Sequence, residues 1–212
     1  MGVSKKVARR TQQQRRETTR RLLIEAAIEC ICEFGFAAST LDTITEHAGV
    51  TRGAVQYHFG TSDELLLAVV EDLNEKLSAL FDATSLAGTS LTERLASICD
   101  QLWEMLSSRH FVAAIQIQLG TVTNPLLAPR VLKIMIKIES DLDKQWVQLF
   151  TDDDIAPDRI VAARHVAQAA LRGLAIKQIY RKRRGKSQAE RALLLEMLCD
   201  AFRSGRQLRL VR

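Results

Sequence analysis

Residues 49–59 read GVTRGAVQYHF. Five side chains here can exchange hydrogen bonds with a partner: Thr51, Arg52, Gln56, Tyr57 and His58. Gly53 and Ala54 between them are nearly bare. This set does not suit bond-breaking chemistry. No serine or cysteine stands at a recognisable spacing from a base, no Glu-x-x-His pair offers a metal two ligands, and no glycine-rich loop would cradle a nucleotide phosphate. Neither an enzyme nor a cofactor or metal site is therefore expected. The residues suit contact with a nucleic acid instead. A guanidinium donates two parallel bonds to guanine O6 and N7, and an amide matches adenine N6 and N7. Hydroxyl and imidazole groups can hold phosphate oxygens and fix orientation. Bare residues let a backbone come close to base edges.

Side chains this close in sequence act together only if a rigid element presents them. Thr51 can cap a helix over 51–58, and Ser39 or Thr40 can cap a preceding one over 40–48 carrying Leu41, Ile44 and Ala48. The two meet across Gly49-Val50, where glycine permits a sharp bend. That is helix-turn-helix spacing, in which the second helix enters the major groove N-terminus first. The positive end of that helix, with the Thr51 hydroxyl, favours a phosphate. Ile44, Val55 and Phe59 remain to pack a small head. Upstream, Leu23, Ala26, Ala27, Ile31 and Phe34 mark one face of a helix that Gly35 stops. Downstream, Thr61 and Glu64 have capping-box spacing at the start of a fourth helix running through Leu65, Val69, Leu73, Leu77 and Leu80.

The whole chain supports a helical reading. It has 212 residues, 47% of them hydrophobic, with only 3 prolines and 10 glycines, and long apolar patterns of period 3.6 dominate. After the fourth helix, such patterns are expected at about 91–107, 110–119, 126–150, 158–182 and 188–203, separated by loop signals. The expected fold class is all-α, with an N-terminal three-helix head and a larger helical body. Its expected parts are a basic flexible arm over 1–18, a helix-turn-helix domain over 19–62 and a helical ligand-binding and dimerisation domain over 63–212. The formal charge of +5 is uneven: residues 1–21 hold eight Lys or Arg against the single acid Glu17, a local +7, so the remainder carries −2. A basic arm on a near-neutral body points to a polyanionic partner. No apolar run reaches the roughly 18 residues of a membrane span, and no signal-peptide pattern follows the basic start, so a soluble, cytoplasmic protein without a membrane partner is expected. Cys30 and Cys32, two apart on one helix, point away from each other, so they and Cys99 and Cys199 are expected as reduced, buried thiols.

The stretch from Thr19 to Leu65, TRRLLIEAAIECICEFGFAASTLDTITEHAGVTRGAVQYHFGTSDEL, resembles the N-terminal domain of the TetR family of bacterial transcription regulators. The likeness rests on the Ala-Ala pair, Glu33-x-Gly35-Phe36, Thr40, Ile44, Ala48-Gly49-Val50, Gly53-Ala54 and His58-Phe59, and covers about a quarter of the chain. The resemblance implies a homodimer that binds a palindromic operator and releases it when a small molecule enters the C-terminal domain. Carried over by position, it makes Thr40, Thr51, Tyr57 and His58 phosphate contacts and turns Arg52, Gly53 and Gln56 towards base edges. Two positions depart from the family pattern. Gln56 stands where Tyr is common, and Ser62 where a phosphate-binding Lys often begins the fourth helix; the basic arm would compensate for the second. Effector-independent DNA binding and transcriptional activation remain open on the same fold.

In the body, Ile160, Ala163, Ala167, Ala170, Leu171, Leu174 and Ile179 form a broad apolar face, and the last helix carries Leu193, Leu194, Leu195, Met197, Leu198 and Phe202. A terminal helix apolar over more than half its circumference needs two burial partners. By the resemblance, the outer partner is the last two helices of a second subunit. Candidate pocket residues are Trp103, His110, Gln116, Trp146 and His165, with Met105, Phe111, Met135 and Gln168 beside them, suiting a small apolar or aromatic effector with one or two polar groups. The basic cluster Arg181-Lys182-Arg183-Arg184 with Lys186, and the tail after Arg203, are expected as charge complementing helix C-termini.

Overall fold

Apolar residues three and four apart, punctuated by glycines and hydroxyl caps, produce helices close to where the sequence pattern places them. In the computed structural model, residues 12–80, 88–181 and 187–203 are described, and the regular elements among them are all helical. In chain order these are α1 (Gln12–Phe34), a 3-10 turn (Phe36–Ala38), α2 (Leu41–His47), α3 (Arg52–His58), α4 (Ser62–Leu80), α5 (Leu91–Leu106), α6 (Arg109–Thr121), α7 (Ala128–Leu149), α8 (Pro157–Arg181) and α9 (Gln188–Arg203). Two compact units divide between Val69 and Val70, inside α4.

Two expected boundaries move. Helix α1 begins at Gln12, so residues 12–18 are helical rather than a flexible arm. Gln and Arg are good helix formers, and the Thr18 and Thr19 hydroxyls donate back to the Gln14 and Arg15 carbonyls at 2.8 and 3.1 Å. The rest of the expected arm lies outside the described residues, as do residues 182–186 of the basic cluster and the tail after Arg203. The first unit also extends to Val69 rather than to residue 62, because Leu65, Leu67, Ala68 and Val69 on the first turns of α4 are buried.

In the first unit, α1 supplies the buried face Leu23, Ala26, Ala27, Ile28 and Ile31, and α2 and α3 add Ile44 and Val55. Gly49 adopts φ 63 at the turn between α2 and α3, a left-handed conformation that costs a side-chain-bearing residue strain. In the second unit, α5, α7, α8 and α9 surround a core that includes Leu95, Ile98, Leu102, Ile138, Trp146, Phe150, Leu171, Leu198 and Phe202. One polar group is buried with them. Arg164, only 1% exposed, donates from Nε to Asp143 at 2.5 Å and from Nη2 to Glu139 at 2.7 Å, and also bonds the Gln168 amide oxygen. Two carboxylates and an amide thus offset the desolvation of one guanidinium and tie α8 to α7.

None of the four cysteines forms a disulfide; Cys30, Cys99 and Cys199 are buried and Cys32 is half-buried. Burial pushes the Cys99 thiol up to about 12, so it is no nucleophile.

Candidate nucleic-acid interface

Helix α3 is short because Thr51 opens it in extended backbone, φ −86 and ψ 157, and Gly60 at φ 81 follows its last turn. Only Val55 along it is buried. Thr51, Arg52, Gly53, Gln56 and Tyr57 are exposed, and His58 is half-buried. The expected base-reading and phosphate-holding side chains therefore share one outward surface. Thr40 stands at the start of α2, where its Oγ1 accepts from the Thr43 backbone N–H at 3.3 Å and pairs with Thr43 Oγ1 at 2.9 Å. Thr40 rather than Ser39 is thus the cap; Ser39 instead donates to the Gly35 carbonyl at 2.8 Å. Thr51 corrects the expectation in the opposite sense. It occupies the cap position of α3, yet its hydroxyl makes no capping bond. At the start of α4, the Glu64 N–H donates to Thr61 Oγ1 at 3.2 Å, one half of the expected capping box.

Gly53 is informative through what it does not touch. A Cβ built there would meet only Thr51 Oγ1, at 3.6 Å, which is ordinary contact. Packing within the unit therefore does not require glycine at this position, whereas the close approach of something outside would.

Arg52 is not a free cation. Its Nε and Nη2 both donate to the two carboxylate oxygens of Asp42, in the first turn of α2. This bidentate pair holds the Asp42 carboxyl below the usual carboxylate range and raises the Arg52 guanidinium. Nothing in the residue spacing points to this partner.

The end of α3 meets the start of α1. A cleft of about 550 Å³ is lined by Gln12, Arg15, Arg16, Thr19, Tyr57 and His58, among others. The Arg16 guanidinium lies 5.7 Å from the Tyr57 ring centroid, and that of Arg20 4.5 Å from the Phe59 ring. Such stacking keeps one cation over Tyr57, a side chain expected to hold phosphate, and another over Phe59, next in sequence to His58. His58 Nδ1 is buried with no hydrogen-bond partner. Burial, then Arg16 and Arg20, push the His58 imidazole below its ordinary value.

The sequence profile described as "Bacterial regulatory proteins, tetR family" matches residues 23–69, the segment that builds this surface. That segment is a TetR-family helix-turn-helix DNA-binding domain. The likeness supports a transcriptional regulator of that family rather than an enzyme. The chain is 24% identical to the HTH-type transcriptional regulator CymR of Pseudomonas putida over 92% of this chain and 96% of that protein. To the HTH-type transcriptional regulator TtgR of the same species it is 46% identical, over 27% of either chain. Among solved structures, the transcriptional regulator FadR of Bacillus subtilis, in complex with stearoyl-CoA, aligns with a TM-score of 0.66 at 19% identity, over 85% of this chain and 98% of that one. The TetR fold thus extends through the body.

The expected effector residues are not gathered into one place. Trp103 lines a cleft of about 830 Å³ between α5, the end of α8 and the start of α9. His110, Gln116, Trp146 and His165 do not line it. His110 opens α6, with Nε2 3.7 Å from Asp72 Oδ2, and Gln116 is half-buried on α6. Trp146 is fully buried in the core against Phe150, with ring centroids 5.9 Å apart. His165 is exposed and 3.1 Å from Asp143 Oδ1. Gln168 is buried and committed to Arg164 and Glu139. The cleft instead presents Arg191, stacked 4.9 Å from the Trp103 ring and paired with Asp100. Among the described residues no helix is long and apolar enough to cross a membrane, and no group of three or more His, Cys, Asp or Glu could hold a metal ion.

Proposed function

We propose that this TetR-family regulator is a cytoplasmic repressor that binds a palindromic operator as a homodimer and leaves it when a small apolar or aromatic molecule occupies the helical body. The first unit is the DNA-binding domain and the second the ligand-binding and dimerisation domain. Arg52, Gly53 and Gln56 face base edges, while Thr40, Thr51, Tyr57 and His58 hold phosphates. The observation that carries this reading is the outward surface of α3: hydrogen-bonding side chains exposed around a glycine that internal packing does not require. An uncapped Thr51 hydroxyl and the Arg15–Arg16–Arg20 edge of α1 add donors and positive charge for a phosphate backbone. For the body, support comes from the 830 Å³ cleft, large enough for a drug-sized molecule, and from the outward apolar residues of α8 and α9.

Selecting bound sequences from random duplexes tests the DNA half. The expected product is a two-fold symmetric site whose half-sites lie about one helical turn apart or a multiple of it. Failure to enrich any sequence, or enrichment of a single asymmetric site, would remove the dimeric operator reading. A thermal-shift screen of apolar and aromatic compounds tests the ligand half: a compound that raises the melting temperature must also weaken operator binding.

A further inference from the structure

Folding stability alone does not account for the ion pair between α2 and α3. Asp42 and Arg52 are 59% and 69% exposed, and pairs so exposed contribute little to stability. A guanidinium carries five N–H donors arranged on more than one edge. Asp42 occupies the edge made by Nε and one hydrogen of Nη2. The adjoining edge, Nη1 with the second hydrogen of Nη2, keeps the parallel geometry that matches guanine O6 and N7.

We propose that Asp42 is the positioning residue for base readout, holding one edge of Arg52 so that the other is presented to a guanine. The proposal rests on the DNA-binding reading above and names the base class Arg52 selects. A long side chain at a helix start explores many rotamers, and ordering it on DNA weakens binding. Asp42 does that ordering in the free protein. Its charge adds discrimination. Asp42 lies two residues beyond Thr40, on the expected phosphate-contacting end of α2. If Arg52 swung away to any nearby phosphate, it would uncover a carboxylate against a polyanion. The pair therefore disfavours use of Arg52 as a general phosphate cation and reserves it for a base edge, the repulsive element from which specificity is built.

The experiment titrates the selected site, the same site changed at each base pair in turn, and random duplex, at several salt concentrations. Arg52→Ala identifies the base pair that Arg52 reads, expected to be G·C. Asp42→Ala should lose preference at that same pair by about tenfold. It should also bind random duplex more tightly, with a salt slope steeper by about one, because Arg52 becomes free to meet a phosphate. Asp42→Glu should keep most of the preference. In an Arg52→Ala background, Asp42→Ala should change preference at no pair. Two results would overturn the proposal: Asp42→Ala tightening the site and random duplex in equal proportion, or its loss of preference persisting without Arg52. A wild-type chain that selects no site would instead remove the DNA-binding reading first, and this proposal with it.

Discussion

His58 is the single side chain whose surroundings make the sharpest statement. Its Nδ1 is buried and unpartnered, and burial, followed by two arginines of α1, lowers the imidazole pKa from its ordinary value of 6.5. A phosphate oxygen placed beside it would reverse the balance and favour the charged form. DNA binding should then take up a proton, so affinity rises as pH falls from about 8 towards 6, by up to about tenfold per unit where uptake is complete. Titration of the wild type against His58→Gln across that range checks this; a slope that survives in the variant belongs elsewhere. The free protein should respond in the opposite direction. Because the folded state depresses this pKa, the unfolded chain binds more protons, and stability falls as pH drops through 6.5. Single residues were legible in sequence where they face outward. Thr51, Arg52, Gln56 and Tyr57 announce themselves by type and spacing, since a core does not use such a set. Asp42 did not, because its pairing with a residue ten positions away depends on the angle between two helices. Trp146, buried, and His165, exposed, show a related limit: helical period places a residue on a face, but does not say whether that face meets core, cavity or water.

The two threonines at helix starts make opposite predictions at the scale of the element. Thr40 caps α2 through its side chain, whereas Thr51 opens α3 without a side-chain bond. Thr40→Ala should therefore cost about 1 kcal/mol of folding stability as well as DNA affinity. Thr51→Ala should leave the denaturation midpoint unchanged while weakening operator binding by about 1.5 kcal/mol, the worth of a hydrogen bond to a charged group. Chemical denaturation beside DNA titration separates them; a stability loss in Thr51→Ala would mean the hydroxyl serves the helix after all. The elements themselves were largely readable. Helix α9 falls over 188–203 and α3 starts one residue from its expected place, because caps and glycines are local signals. The start of α1 was not readable: a run of Gln and Arg is compatible with either an arm or a helix, and only the packing that follows it decides. At the start of α5 the Ser-x-x-Glu pattern of Ser90 and Glu93 is a capping box with both reciprocal bonds formed, a signal equally local in the sequence.

At the scale of the whole molecule, the question is how one seven-residue recognition helix becomes a selective reader. A single α3 would reach only a few base pairs, so the proposed answer is two of them on one duplex. The outward face of α9 supports that proposal. Leu194, Leu198 and Phe202 are buried in the second unit, while Leu193 and Met197, four apart on the other face, are each 57% exposed. On α8, Val166 is also 57% exposed, and a Cβ at Gly173 would meet nothing within 4 Å. Outward apolar side chains on both helices, with a bare glycine seven residues after Val166 on α8, fit close helix packing by a second copy. Replacing Leu193 and Met197 together by Glu puts charge into that contact without disturbing the core beneath. Analytical ultracentrifugation should then show a monomer where the wild type is a dimer, with an unchanged circular dichroism spectrum. Operator affinity should fall by a factor of about a hundred or more, since the second half-site is no longer bound intramolecularly. Weak, salt-sensitive binding to random duplex should survive, because α3 and the arginines of α1 are untouched. A double variant that still sediments as a dimer would place the interface on another face, and a wild type that is monomeric both free and on its operator would leave the two-fold site without a physical basis.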